Sequence, residues 1–125
     1  MITSITKRFS FEAAHFLPNH EGKCRNLHGH SYKVEVTVTG KVNRIMAHPE
    51  YGMITDFSKL SKYVNNILEP FDHSTLNDFY FNPTAENIAY DIFIKLSDEI
   101  ANEEFEVSAV KVWETEKCFA EVKAE

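Results

Sequence analysis

Six histidines stand in the 125-residue chain, and three of them are spaced for metal chemistry. His28 and His30 flank Gly29 at the start of an alternating segment, and residues two apart on a strand project from the same face. Gly29 is expected to keep the space between them uncrowded. His15 follows a segment rich in Ile, Thr and Phe. If the two segments pair antiparallel, the end of the first lies beside the start of the second, and His15 beside His28 and His30. Three neutral imidazoles with an open fourth position form the catalytic kind of zinc site, not the closed structural kind. His20 and His48 read as solvated loop residues.

Three further features carry chemistry. Cys24 lies four residues before His28, in the polar run Gly22-Lys23-Cys24-Arg25-Asn26. A bound cation nearby, with Lys23 and Arg25 alongside, favours its thiolate. That leaves three roles open to it: fourth metal ligand, nucleophile or general base. Asp72-His73 sets a carboxylate beside an imidazole in an irregular segment. The carboxylate can orient the ring for proton transfer; a solvated turn is the alternative. Glu114 ends the run Val110-Lys111-Val112-Trp113. A carboxylate there can take two parallel N–H···O bonds from a guanidine-like heterocycle edge, although by position alone it reads as a surface glutamate.

These residues need elements to hold them. Residues 2–13 read as a first strand, and 19–26, with Gly, Asn and charges, as a loop. From Ser31 to Thr39, Tyr32, Val34, Val36 and Val38 alternate with Lys33, Glu35, Thr37 and Thr39. That period of two marks a strand with one buried face. Residues 41–53 read as a connection. Asp56 then caps a helix whose face is Phe57, Leu60, Tyr63, Val64, Ile67 and Leu68, and Pro70 stops it. Residues 71–82 read as irregular. Pro83 takes a first helical position before Ala85, Ile88, Ala89, Ile92, Phe93 and Leu96. Val107–Trp113 and Phe119–Val122 return to strand, with a turn at Thr115-Glu116-Lys117. The order β-β-α-α-β-β predicts an α+β domain, with an antiparallel sheet and both helices on one face.

Composition sets the outer limits. With 43% hydrophobic and 26% charged residues, the chain is built like an ordinary globular protein, not a disordered tail, collagen or mucin-like stalk. Thirteen Lys and Arg against nineteen Asp and Glu give a net charge of −6. Such a surface is a poor general binder of nucleic acid. It still allows a local basic pocket for a small phosphate, for which Lys23 and Arg25 are nearest. No apolar run approaches the ~18 residues of a membrane span. The segment Met1–Arg8 lacks the basic-then-apolar order of a signal peptide, so a cytoplasmic protein is expected. Cys24 and Cys118 are then expected to be free thiols, with Cys118 in the core.

In chain order, Phe9-Ser10-Phe11-Glu12-Ala13-Ala14-His15, Cys24-x-x-x-His28-Gly29-His30 and Gly52-Met53-Ile54-Thr55-Asp56-Phe57 resemble segments of the 6-pyruvoyltetrahydropterin synthase superfamily. So do Phe71-Asp72-His73-Ser74-Thr75-Leu76-Asn77, Asn82-Pro83-Thr84-Ala85-Glu86-Asn87 and Val112-Trp113-Glu114-Thr115. The resemblance covers nearly the whole chain, and six motifs in order are highly specific. Three residues between Cys24 and His28 resemble the bacterial 6-carboxy-5,6,7,8-tetrahydropterin synthases of queuosine biosynthesis. The tetrahydrobiopterin-making branch spaces its cysteine further from the His-Gly-His.

The resemblance implies one domain over residues 1–125 with the tunnelling fold (T-fold): a four-stranded antiparallel sheet and two helices. Three copies would close a barrel and two barrels would stack into a homohexamer, with active sites between subunits. It implies that His15, His28 and His30 hold Zn²⁺, and that Cys24 is the proton-abstracting base. Asp72 and His73 would be the partner acid/base pair, with His73 in a charge relay. Glu114 would anchor the pterin's amino-pyrimidinone edge and join that relay, and Thr84 would add a pterin contact. The implied activity is a carbon–carbon lyase that turns 7,8-dihydroneopterin triphosphate into 6-carboxy-5,6,7,8-tetrahydropterin, releasing acetaldehyde and triphosphate. The rivals are 6-pyruvoyltetrahydropterin synthase activity on the same substrate, aldolase-like cleavage of dihydroneopterin derivatives, and a non-catalytic zinc- and pterin-binding module. Cys24 and Asp72-His73 are the residues that argue for turnover.

Overall fold

The computed structural model describes every residue from Met1 to Glu125. Strands β1 (Thr3–His15) and β2 (His28–Gly40) pair antiparallel in unbroken register, from Thr3 opposite Gly40 to His15 opposite His28. Alternation dictates this pairing. Phe11, Ala13 and His15 of β1 turn to the same buried face as Tyr32, Val34, Val36 and Val38 of β2. A slip of one residue would move that whole row into water, so burial fixes the register and with it the rung between His15 and His28.

Helix α1 (Phe57–Leu68) starts where Asp56 accepts a hydrogen bond from the Ser58 N–H at 2.8 Å. It buries Leu60, Val64, Ile67 and Leu68, and Pro70 lies in the 3-10 turn that ends it. A two-residue strand, β3 (Ser74–Thr75), precedes helix α2 (Ala85–Glu99). Pro83 is not the first residue of α2. Thr84 takes the cap position because its hydroxyl can accept from the Asn87 N–H, at 3.1 Å, which a proline ring cannot do. Strands β4 (Phe105–Thr115) and β5 (Cys118–Lys123) close the chain.

The sheet order is β3-β1-β2-β4-β5, and the inner faces of both helices share one core with the buried faces of the strands. The α+β reading holds. The sheet has five strands instead of four, because β3 joins parallel to β1 opposite Ala13 and Ala14. Two residues are too few to show a period, so that strand was invisible in the sequence. Val107 and Val110 are both buried although three apart, since Ser108 is an extra residue where β4 passes Thr37 and Val38. Thr115 pairs with Cys118, which shortens the hairpin turn to Glu116-Lys117. Cys118 is exposed and not part of the core, because it opens β5 directly after that turn. Both cysteines are free.

Candidate active site

The rung at the end of β1 and β2 brings the three histidines together. His15 is buried and His28 and His30 are half-buried, and their metal-capable atoms all lie within 4.8 Å of one another. The Nε2 atoms of His15 and His28 are 3.1 Å apart. Their other nitrogens are committed to backbone: Nδ1–H of His15 donates to the Pro83 carbonyl and Nδ1–H of His28 to the Asn26 carbonyl, each at 2.7 Å. A carbonyl only accepts, so both Nδ1 atoms carry hydrogen and both neutral rings turn an Nε2 lone pair inward. Two lone pairs at that distance repel each other unless a cation or proton lies between them. Burial, then the charges of His15 and His28, lowers the pKa of His30 and favours its neutral, ligating form. The donor set therefore fits a metal ion. A Cβ on Gly29 would meet only the Ala13 carbonyl at 3.8 Å, so crowding does not require that glycine.

Glu114 reaches the same point through a bulge. The β4–β5 register steps from Trp113–Phe119 to Thr115–Cys118, leaving Glu114 as an extra residue on β4. Bulges re-aim side chains. The Glu114 Oε2 lies 3.2 Å from His15 Nε2 and 3.9 Å from His30 Nε2. A glutamate that reads as surface by position is thus the one carboxylate against the histidine cluster. Tyr32 lies fully buried beneath it, its ring 5.8 Å from that of His15 and 5.5 Å from that of His30. Burial and then Glu114 push its hydroxyl pKa up, so it stays protonated.

Cys24 occupies a 3-10 turn, Lys23–Arg25, in the loop between β1 and β2. Its carbonyl accepts from the Leu17 N–H at 2.7 Å, which ties the loop back to the end of β1. Its half-exposed thiol is not among the converging donor atoms. Lys23 and Arg25 beside it are exposed.

Asp72 and His73 sit at the outer edge of β1. One Asp72 oxygen accepts from the Glu12 N–H at 2.9 Å and the other pairs with His73 Nδ1 at 3.1 Å. The Glu12 N–H, ahead of the His73 charge, holds the Asp72 carboxyl below the usual carboxylate range. His73 has the only positive φ outside glycine, 59°. Its N–H donates to the Glu12 carbonyl at 2.5 Å, and such strain persists only where surrounding contacts over-determine it. The His73 ring is largely exposed and opens onto a cleft of about 620 Å³ lined by Glu12, Ala14, Gly29 and Ser31. Within one chain, neither residue bonds to the histidine cluster, Cys24 or Glu114.

Thr84 caps α2, directly after the Pro83 carbonyl that holds His15. The Pro83 and Asn26 carbonyls went unread in the sequence because any residue can supply a carbonyl. Asn77 bonds the backbone of Phe16; in the sequence it stands only as the last residue of the Phe71–Asn77 segment, with no role of its own.

Known proteins resemble this chain in sequence and fold. The 6-pyruvoyl tetrahydropterin synthase family matches residues 4–125. A Haemophilus influenzae protein named 6-carboxy-5,6,7,8-tetrahydropterin synthase is 36% identical over 140 aligned positions, covering 94% of this chain and 96% of that one. A Synechocystis protein of the same name is 46% identical over 97 positions, covering 75% of this chain and 74% of that one. The solved structure of Caenorhabditis elegans 6-pyruvoyl tetrahydropterin synthase superposes with a TM-score of 0.84 at 30% identity, covering 100% of this chain and 97% of that one. With the family match over residues 4–125, these relatives and the shared fold in agreement, the chain belongs to the 6-pyruvoyl tetrahydropterin synthase family.

Proposed function

We propose that this chain, as one domain over residues 1–125, is a zinc-dependent carbon–carbon lyase of queuosine (7-deazapurine) biosynthesis. It converts 7,8-dihydroneopterin triphosphate and water to 6-carboxy-5,6,7,8-tetrahydropterin, acetaldehyde and triphosphate. The atoms balance. The first side-chain carbon stays on the ring as the carboxyl, with its second oxygen from water, and the outer two leave as acetaldehyde. Oxidation of that carbon is matched by reduction of the ring and of the departing fragment, so no redox cofactor is required. The observation that carries the reading is the histidine cluster with Glu114 against it at 3.2 Å.

His15, His28 and His30 would hold the zinc. When bound there, the ion supplies Lewis acidity that lowers the pKa of substrate hydroxyls. Cys24 takes a proton from the side-chain carbon. His73, oriented by Asp72, moves protons on the opposite face. Each such group is worth typically ~10²–10⁴-fold in rate. Glu114 grips the amino-pyrimidinone edge, whose N–H donors would be costly to bury unpaired. Thr84 adds a contact to the ring, and Lys23 and Arg25, exposed beside Cys24, are the candidates to meet the triphosphate.

The reading includes an assembly. Beyond Ala13 and Ala14, β1 has no strand on its outer side, and β5 ends the sheet on the other. Open edges pair readily with another chain. Three copies joined by these edges would close a barrel and two barrels would make the hexamer. His73 of one copy would then face the zinc of another, in keeping with the absence of a hydrogen bond from it to the cluster of its own chain. No helix is long and apolar enough to cross a membrane, and a cytoplasmic location is part of the proposal.

The test is to incubate zinc-loaded protein with 7,8-dihydroneopterin triphosphate and identify products by mass spectrometry. The carboxytetrahydropterin is expected. A pyruvoyltetrahydropterin product would move the activity to the other branch. Unchanged substrate would favour a binding module.

A further inference from the structure

We infer that Asn77 is the positioning residue that holds the metal ligand His15 and the Cys24 loop in register. The inference rests on the metal reading above. β1 ends at His15, and its outer neighbour β3 ends at Thr75, opposite Ala14. The next backbone groups of β1 would face no strand. Asn77 fills that place with its side chain: Oδ1 accepts from the Phe16 N–H at 2.9 Å, and Nδ2–H donates to the Phe16 carbonyl at 2.8 Å. A carboxamide has the donor and acceptor of a peptide unit, so it extends the ladder by one rung.

Phe16 is the joint between two functional parts. On one side it follows His15, whose ring is held by the Pro83 carbonyl at 2.7 Å. On the other it precedes Leu17, whose N–H holds the Cys24 carbonyl at 2.7 Å. Fixing both polar groups of Phe16 therefore fixes the direction in which the chain leaves the ligand and the place where the thiol loop returns. Asn77 hydrogen-bonds to neither the histidine cluster nor the thiol; it acts through Phe16. Partners that orient ligands in this way typically govern metal affinity about 10–100-fold.

The test measures zinc affinity by competition with a chelator, and the alkylation rate of Cys24 in metal-free protein, all in a Cys118→Ser background. The unsubstituted Asn77 protein is compared with Asn77→Ala, with Asn77→Asp, which keeps the acceptor for the Phe16 N–H, and with Ile100→Val. Ile100 is buried at the far end of α2, beside Phe105, which pairs with Gly40 at the end of the sheet away from His28. Asn77→Ala is expected to weaken zinc binding by about tenfold or more and to speed Cys24 alkylation. Asn77→Asp sets an oxygen against the Phe16 carbonyl in place of the donor and should weaken zinc binding as well, and Ile100→Val should lower the melting temperature alone. Should Asn77→Ala not fold, the Asn77→Asp measurement decides. Zinc affinity unchanged in the Asn77 variants, or lowered as much in Ile100→Val, overturns the inference alone. An Asn77 protein that holds no zinc overturns the metal reading and the inference with it.

Discussion

His15 and His28 face each other across the last rung of β1 and β2 with their Nε2 atoms 3.1 Å apart and both Nδ1 atoms bound to backbone carbonyls. That geometry puts two lone pairs on one point. Removing either ring should abolish the site without removing the rung. His28→Ala is expected to purify with the fold intact, by circular dichroism, and with little zinc by elemental analysis. Full metal content would reject the assignment of the ligands.

The same opposition would make a bound metal part of the fold's stability. A ligand that binds only the native state stabilises it by about 2.7 kcal/mol at a hundredfold excess over its Kd. Chelator should lower the melting temperature of the wild type and leave that of His28→Ala unchanged. Equal shifts in the two proteins would place the chelator's effect elsewhere.

Glu114 is held to the cluster by the bulge in β4, with 28% of its side chain exposed. Exchange for glutamine keeps the size and gives up the paired acceptor. Glu114→Gln should weaken pterin binding while zinc content stays at the wild-type level. A titration with unaltered pterin affinity would count against the anchor.

Cys24 stands outside the converging donors, as a base would and a ligand would not. Cys24→Ala should retain zinc and lose turnover by about 10²–10⁴-fold. Turnover at the wild-type rate would remove it from the mechanism, and loss of zinc would make it a ligand.

Glu50 offers a pH test away from the site. Its carboxylate accepts from the Asp56 N–H at 2.6 Å and the Thr55 hydroxyl at 2.8 Å, at the entry to α1. The Asp56 N–H, followed by Thr55, lowers its pKa. A carboxyl whose native pKa is depressed stabilises the fold above its unfolded pKa, about 4.3 for glutamate. That contribution is lost as pH falls through the native value. Glu50→Gln should therefore melt below the wild type at neutral pH, and the gap should close in acid. A gap that persists unchanged in acid would show that charge is not its source.

What the sequence could show follows from range. Alternation in Tyr32–Val38 and the helical face after Asp56 are local signals, and they located β2, α1 and the rung that joins His15 to His28. The convergence of the three histidines was legible because strand pairing converts spacing into position. Glu114 was not legible from its own surroundings, since its aim depends on a bulge against β5. The role of Asn77 was hidden for a similar reason: its partner Phe16 is 61 residues away and contributes only backbone. The two-residue β3 and the exposed Cys118 were missed where segments are too short, or too near a turn, for period to report burial.

Cleavage of the side chain separates the lyase from its rivals, and acetaldehyde is its product. Zinc-loaded wild type would be given 7,8-dihydroneopterin triphosphate, with acetaldehyde measured through an alcohol dehydrogenase couple against substrate consumed. One acetaldehyde per substrate is expected, lost in Cys24→Ala. Substrate consumed without acetaldehyde would contradict it.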